Sequence, residues 1–382
     1  MTTRKSGTAV PGGNGGAEAR ELPNPFVCSD GQEVTTSADW ARRRQEIRDL
    51  VLEIEYGGLP PAPSGIEIER LHRTEVKALG GAGFTQYRLL SCDHPSFHFR
   101  LDVMTPPERD GALPVVLNGD GCWRYATDEI VADILGRGFI FAQFSRTAIV
   151  PDIYNCDRDT GLYLCYPDHS FGALAAWAWG YHRCVDALLT LVDVDRDRIA
   201  VVGHSRGGKA ALLAGATDER IALTSPNNSG SGGAGSFVWQ GPESENMGHG
   251  REQIPYWYGP RLWQYIGRET ELPFDQHFLK ALVAPRALLS TEALGDLWAN
   301  PSGTLKTHRA AAEVFEFLDA GQQIGIWFRD GDHNHGVADW RVFLDFMEWR
   351  LLGKEPRRGF SPNPFPDEPS GFCWRAPERH GR

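Results

Sequence analysis

The sequence predicts an α/β fold, a mostly parallel sheet sandwiched between helices in three αβα layers. Three observations predict it. Short apolar runs alternate with helix-length stretches over the central and C-terminal parts of the chain, the pattern of a sheet covered on both faces. One run, within Ile199–Gly215, passes through a glycine-rich turn directly into an Ala/Leu-rich helix. The chain also has 382 residues with 41% hydrophobic and 23% charged side chains, enough to bury a large core without disulfides or metals.

In chain order, residues 1–21 are Gly-rich and polar with no apolar h-region, which predicts a disordered tail and no standard signal peptide. The rest, 22–382, is read as a single domain. Residues 37–56 place Trp40, Ile47, Val51 and Ile54 at helical spacing, predicting an N-terminal helix. Alternation over 66–75 and 84–105 predicts an opening antiparallel region. Apolar runs at 113–118, 139–144, 198–202, 287–291 and 324–328 then predict buried strands. The stretches 127–135, 173–192, 209–216, 305–318 and 342–352 predict the helices between and after them. Residues 227–270, rich in Gly, Ser and Trp, fit no repeating unit and are expected to form an insertion over the C-terminal edge of the sheet. The Pro/Arg-rich tail from Pro356 is expected to wrap loosely.

The net charge of −11 disfavours nonspecific nucleic-acid and anionic-membrane partners, and no run of 18 apolar residues suggests a spanning helix. Seven cysteines without a CxxC pair suggest free thiols in a reducing compartment, with cytoplasmic residence as the default. If the start is misassigned and the protein is exported, Cys156 and Cys165 could form a loop bridge.

The chemistry centres on Gly203-His204-Ser205-Arg206-Gly207. A G-x-S-x-G between strand and helix is the nucleophile elbow of an α/β-hydrolase. The turn is so tight that positions two before and two after the serine must be small. It lifts the serine Oγ above the sheet, while the helix start aims N–H groups at a developing oxyanion. A chance glycine-rich turn is the bland alternative, and the strand–turn–helix context argues against it. A P-loop is excluded because Lys209 is followed by Ala210.

A serine hydroxyl needs a general base, and in this fold the order is serine, acid, histidine. The segment Ile326–Gly336 offers His333 and His335 after a strand; His333, nearer the strand end, is favoured as base. H-x-H could also chelate zinc, but no convincing third ligand is in sight, so neither metal nor cofactor is expected. The acid should follow the preceding strand. Asp296, past Gly295, is better placed than Glu292, which is expected to lie inside the strand.

The chain resembles the glucuronoyl esterases, carbohydrate esterases that cleave esters of glucuronic acid, from about Leu22 to Lys354. The most specific segments are Gly172–Leu188, Val201–Gly235 and Leu272–Leu289. The resemblance implies that the Arg206 side chain joins the oxyanion site, that Lys209 contacts sugar hydroxyls and that Trp298 walls the sugar site. It also carries one departure. Many members place a catalytic glutamate where this chain has Asn228, so the late Asp296 is expected to complete the triad Ser205–Asp296–His333. The insertion sets aromatics beside hydrogen-bonding groups, among them Trp239, Gln240, Glu245 and Glu252, which suits a carbohydrate face; Glu252 is the substrate contact expected there.

The expected activity is serine-dependent carboxylic-ester hydrolysis through an acyl-enzyme, on a glucuronic acid ester or another small carbohydrate ester. The alternatives are a short-chain or acetyl esterase on the same scaffold, and a catalytically silent carbohydrate-binding protein whose signature would be an unpaired His333.

Overall fold

The structure is a computed structural model that describes residues 21–378 apart from 93, 95, 109, 124 and 155–157. The expected N-terminal tail, save Glu21, and Cys156 lie outside the described residues.

Helix α1 (Ser37–Val51) opens on a capping box in which Thr36 and Asp39 each satisfy the other's backbone N–H. Its buried Trp40, Ile47 and Val51 form the stripe that the spacing predicted. A π-helical turn, Leu52–Tyr56, completes the stretch.

Among the described residues the sheet has nine strands in the order β1-β2-β3-β5-β4-β6-β7-β8-β9. Strands β1 (Glu67–Val76), β2 (Ala82–Leu90) and β3 (Phe99–Thr105) form an antiparallel wing, and β3 pairs antiparallel with β5 (Ile140–Phe144). From β5 onward all pairs are parallel, through β4 (Leu113–Asn118), β6 (Val194–His204), β7 (Leu223–Asn227), β8 (Ala287–Ala293) and β9 (Ile324–Arg329).

Period-two alternation sorts the strand residues between two cores. Val115, Leu117, Ile199 and Val201 face one layer, built mainly from α3 (Ala173–Leu188), α4 (Arg206–Thr217), α6 (Gln276–Ala281) and α7 (Pro301–Phe317). Val116, Ala200, Val202 and Leu289 face the other, built from α2 (Asp128–Gly136) and α8 (Val337–Leu352). This is the expected αβα sandwich. The remaining helix, α5 (Met247–Gln253), lies in the insertion, which seats Trp257, Tyr258 and Leu262 in the larger core. Among the described residues no helix is long and apolar enough to cross a membrane.

Three expectations change. Strand β7, Leu-Thr-Ser-Pro-Asn, was not among the predicted runs; it is fully buried, but Pro and Asn give it little strand propensity. The C-terminal tail is anchored rather than loose. Leu22 N–H donates to Gly371 O, the Trp374 indole donates to Leu22 O, and Phe360 and Phe372 are buried. Finally, Cys165 is bonded to Cys92, across 73 residues, so it is not available to Cys156. The bridge ties the end of β2 to the loop that follows β5.

Candidate active site

Ser205 sits between the end of β6 and the start of α4 with φ 55° and ψ −123°, a conformation that costs a non-glycine residue energy and is characteristic of functional turns. The neighbouring glycines are required by contact. A Cβ on Gly203 would collide with the backbone of Gly207, and one on Gly207 would collide with the Asp120 carboxylate. The strained turn is held from both ends, because Ser205 N–H donates to Asn227 O at 2.8 Å and Lys209 N–H donates to Ser205 O at 3.0 Å. The Ser205 hydroxyl does not cap α4, and among the described residues no side chain hydrogen-bonds it.

His333 and Asp296 meet. Their Nδ1 and Oδ2 are 2.5 Å apart, with Asp296 buried and His333 partly open. Asp296 lies just past β8, as expected, and also accepts from Ala299 N–H at 3.2 Å. With Nδ1 engaged, Nε2 is the nitrogen left to exchange a proton. The His333 ring packs against that of His204, the residue before Ser205, with centroids 4.5 Å apart. His204 is itself fixed by Asn227 Oδ1 at 2.6 Å, and burial, then the neighbouring His333, pulls its pKa down to about 3. It packs against the base as a neutral ring.

The competing residues go elsewhere. His335 is buried and stacked on Trp340 at 4.7 Å, and burial holds it well below the usual histidine range. Glu292 lies within β8, fully buried, with neither carboxylate oxygen hydrogen-bonded among the described residues; burial pushes its pKa well above the usual carboxylate range against the pull of Lys280. Asn228 occupies the alternative acid position and bonds Ala293 N–H and Asn334 O.

The Arg206 side chain is partly exposed, with its guanidinium held on one side by the insertion and the loop after β5. Its guanidinium lies 3.0 Å from Asp152 and 4.6 Å from the centre of the Trp257 ring. Asp152 also accepts from Tyr256 and from the Trp257 indole, at 2.8 and 3.0 Å. Burial works against the Asp152 charge, but Arg206, Tyr256 and Arg146 together hold its pKa below the usual value. Beneath the elbow, Asp120 takes the His204 N–H at 2.8 Å and pairs with buried Arg146 at 3.2 Å. Sequence reasoning missed Asp120, Arg146 and Asp152. The only available signal was for Asp120, in the Gly-Asp-Gly that stops β4, because the carboxyl ends of parallel strands are where such sheets place their sites.

Lys209 is not a solvated helix residue. It is buried, donates to Glu245 at 2.7 Å and also bonds Ser231 O. Glu245 N–H donates to Trp298 O at 3.0 Å, which joins Lys209 and Trp298 through one insertion residue. Trp298 is 44% exposed beside the His249 ring, so it is a surface aromatic and not core packing. Glu252 stands exposed on α5, and no hydrogen bond or ion pair ties it to this cluster among the described residues. Nor do the described residues bring together three His, Cys, Asp or Glu side chains able to hold a metal.

Comparison with known proteins adds relatives. Residues 90–319 match the family model for fungal glucuronyl esterases. The chain is 33% identical over 336 residues to a 4-O-methyl-glucuronoyl methylesterase of Podospora anserina, covering 85% of this chain and 66% of that protein. A carbohydrate esterase of an unknown prokaryotic organism is 30% identical, with 87% of this chain and 90% of that protein covered. Among solved structures, a carbohydrate esterase family 15 glucuronoyl esterase from Caldicellulosiruptor kristjansonii superposes with a TM-score of 0.80 and 28% identity, covering 94% of this chain and 98% of that one.

Proposed function

The chain belongs to the glucuronoyl esterase family, and from that premise we propose that it hydrolyses carboxylic esters of glucuronic acid through an acyl-enzyme on Ser205. The observation that carries this reading is the Asp296–His333 pair, 2.5 Å apart, set against the residue that precedes the elbow serine.

In this mechanism Ser205 Oγ attacks the ester carbonyl and His333 Nε2 takes its proton. Asp296 holds the imidazole in that tautomer and offsets the charge it gains. The tetrahedral oxygen is met by backbone N–H groups at the start of α4 and by the Arg206 guanidinium, which Asp152 and Trp257 hold in place. His333 then returns the proton to the departing alcohol. Water, activated by the same histidine, releases the glucuronate. The linked Lys209, Glu245 and Trp298 supply polar groups and an aromatic wall suited to a sugar ring. A silent binding protein would be expected to carry an unpaired His333; here the histidine is paired.

The Cys92–Cys165 bridge favours an oxidising compartment over the cytoplasmic default.

The experiment is turnover of methyl or benzyl glucuronate alongside p-nitrophenyl acetate, with Ser205→Ala as control. The glucuronate ester should be the better substrate, and the variant should lose both activities. Acetate turnover without glucuronate turnover would move the assignment to a short-chain esterase. Equal rates for variant and wild type would remove Ser205 from the chemistry.

A further inference from the structure

Asn228 stands where a glutamate would serve as the acid in many relatives, and its surroundings give it a different task. It follows β7 directly, is 1% exposed and has φ 41°. Asparagine tolerates this left-handed backbone better than most residues. Its backbone N–H donates to Thr291 O at 2.9 Å, which ties it to β8.

The side chain then uses both ends of its amide. Oδ1 accepts from Ala293 N–H at 2.7 Å, at the last residue of β8 and just before the turn that carries Asp296. Nδ2 donates to Asn334 O at 2.9 Å, the carbonyl next to His333. The same carbonyl accepts from Arg329 at 2.7 Å, so both of its lone pairs are filled. One buried amide therefore spans the strand end that delivers the acid and the loop that delivers the base. A carboxylate could accept from Ala293 but could not donate to Asn334.

We infer that Asn228 is a positioning residue that locks the end of β8 against the His333 loop and so sets the Asp296–His333 geometry. The inference rests on the catalytic reading of that pair given above. In this view the position is re-used: with the acid supplied late, the early site holds the late acid and the base in register.

The test is a double-mutant cycle of Asn228→Asp and Asp296→Asn, run on p-nitrophenyl acetate so that it does not depend on the sugar. Asn228→Asp should lower kcat about 10- to 100-fold, the scale of a sub-ångström to ångström misplacement, with KM within about twofold of wild type. In the Asp296→Asn background, where the pair is already lost, the same change should cost less than about threefold more. A purely structural role would give additive losses, and additivity overturns the inference, as does wild-type kcat in the single variant. Asn228→Ser removes both contacts without placing a carboxylate at this position, so it must show the same sub-additive pattern. Sub-additivity confined to Asn228→Asp means a replacement acid and overturns the inference, and Asn228→Ser alone carries the cycle if Asn228→Asp fails to fold. A readout independent of turnover is the far-downfield proton resonance of His333 Nδ1–H. It should shift or broaden in the Asn228 variant, and an unchanged resonance overturns the inference. If wild type hydrolyses acetate but no glucuronate ester, the substrate assignment falls while the cycle still reports on Asn228. If wild type hydrolyses neither, the resonance alone decides.

Discussion

Replacing Asp296 with asparagine keeps the shape of the side chain and removes its charge. The structure sets the size of the effect. As Ser205 gives up its proton, His333 becomes an imidazolium whose Nδ1 lies 2.5 Å from an Asp296 oxygen. With charge centres about 4 Å apart and an effective dielectric near 20, the attraction is ~4 kcal/mol. The His333 side chain is 39% exposed, and solvent screening trims the useful part to ~3 kcal/mol. That corresponds to a loss of roughly 10²- to 10³-fold in kcat. The amide would add to the loss by presenting an N–H to Nδ1 and favouring the wrong tautomer. Steady-state kcat and KM on methyl glucuronate measure it, with p-nitrophenyl acetate in parallel. Glu292→Gln is the matched control: its carboxyl is buried inside β8 and neither oxygen is hydrogen-bonded among the described residues, so kcat should stay within about threefold. If Glu292→Gln collapses turnover and Asp296→Asn does not, the acid is Glu292 and the reasoning fails.

Two further outcomes are expected. Lys209→Met leaves Glu245 buried and uncompensated, which should lower stability by ~3–5 kcal/mol in denaturant melts and raise KM for glucuronate esters more than for p-nitrophenyl acetate. Glu55, fully buried in the π-helical turn, has its pKa pushed up to about 8 by burial against the hydrogen bonds of Gln276. Because the folded state keeps a proton that the unfolded state releases above its ordinary value of 4.5, stability should fall as pH rises from there through about 8. Thermal melts across that window should show this slope in wild type and a flatter one in Glu55→Gln.

Much of the sheet was legible because buried parallel strands announce themselves as short apolar runs, and the elbow because its steric demands force glycines at fixed places. Strand β7 was not, since a strand ending in Pro-Asn is specified by its neighbours and by burial rather than by its own propensity. Asp296 and His333 could be placed by chain order and strand ends. Asp120, Arg146 and Asp152 sit on loops that only the fold brings together, so no spacing reveals them. The insertion shows the same limit. Its mix of aromatics and acids pointed to Glu252, yet Glu245 is the acid that folding delivers to Lys209, while Glu252 faces outward.

The Arg206–Asp152 pair bears on how the reaction ends. Ester hydrolysis turns a neutral carbonyl into a carboxylate, so any lone cation that helps bond breaking also tends to retain the acid it has made. Arg206 arrives with its charge balanced by Asp152 and its flat face covered by Trp257. In the proposed mechanism such a guanidinium still offers directed N–H groups to the tetrahedral oxygen. Towards a freed uronate it presents a nearly neutral ensemble, with Asp152 repelling the departing anion. On the proposed mechanism the pairing should favour clearance of product, and Asp152→Asn should then tighten inhibition by added glucuronic acid in steady-state assays.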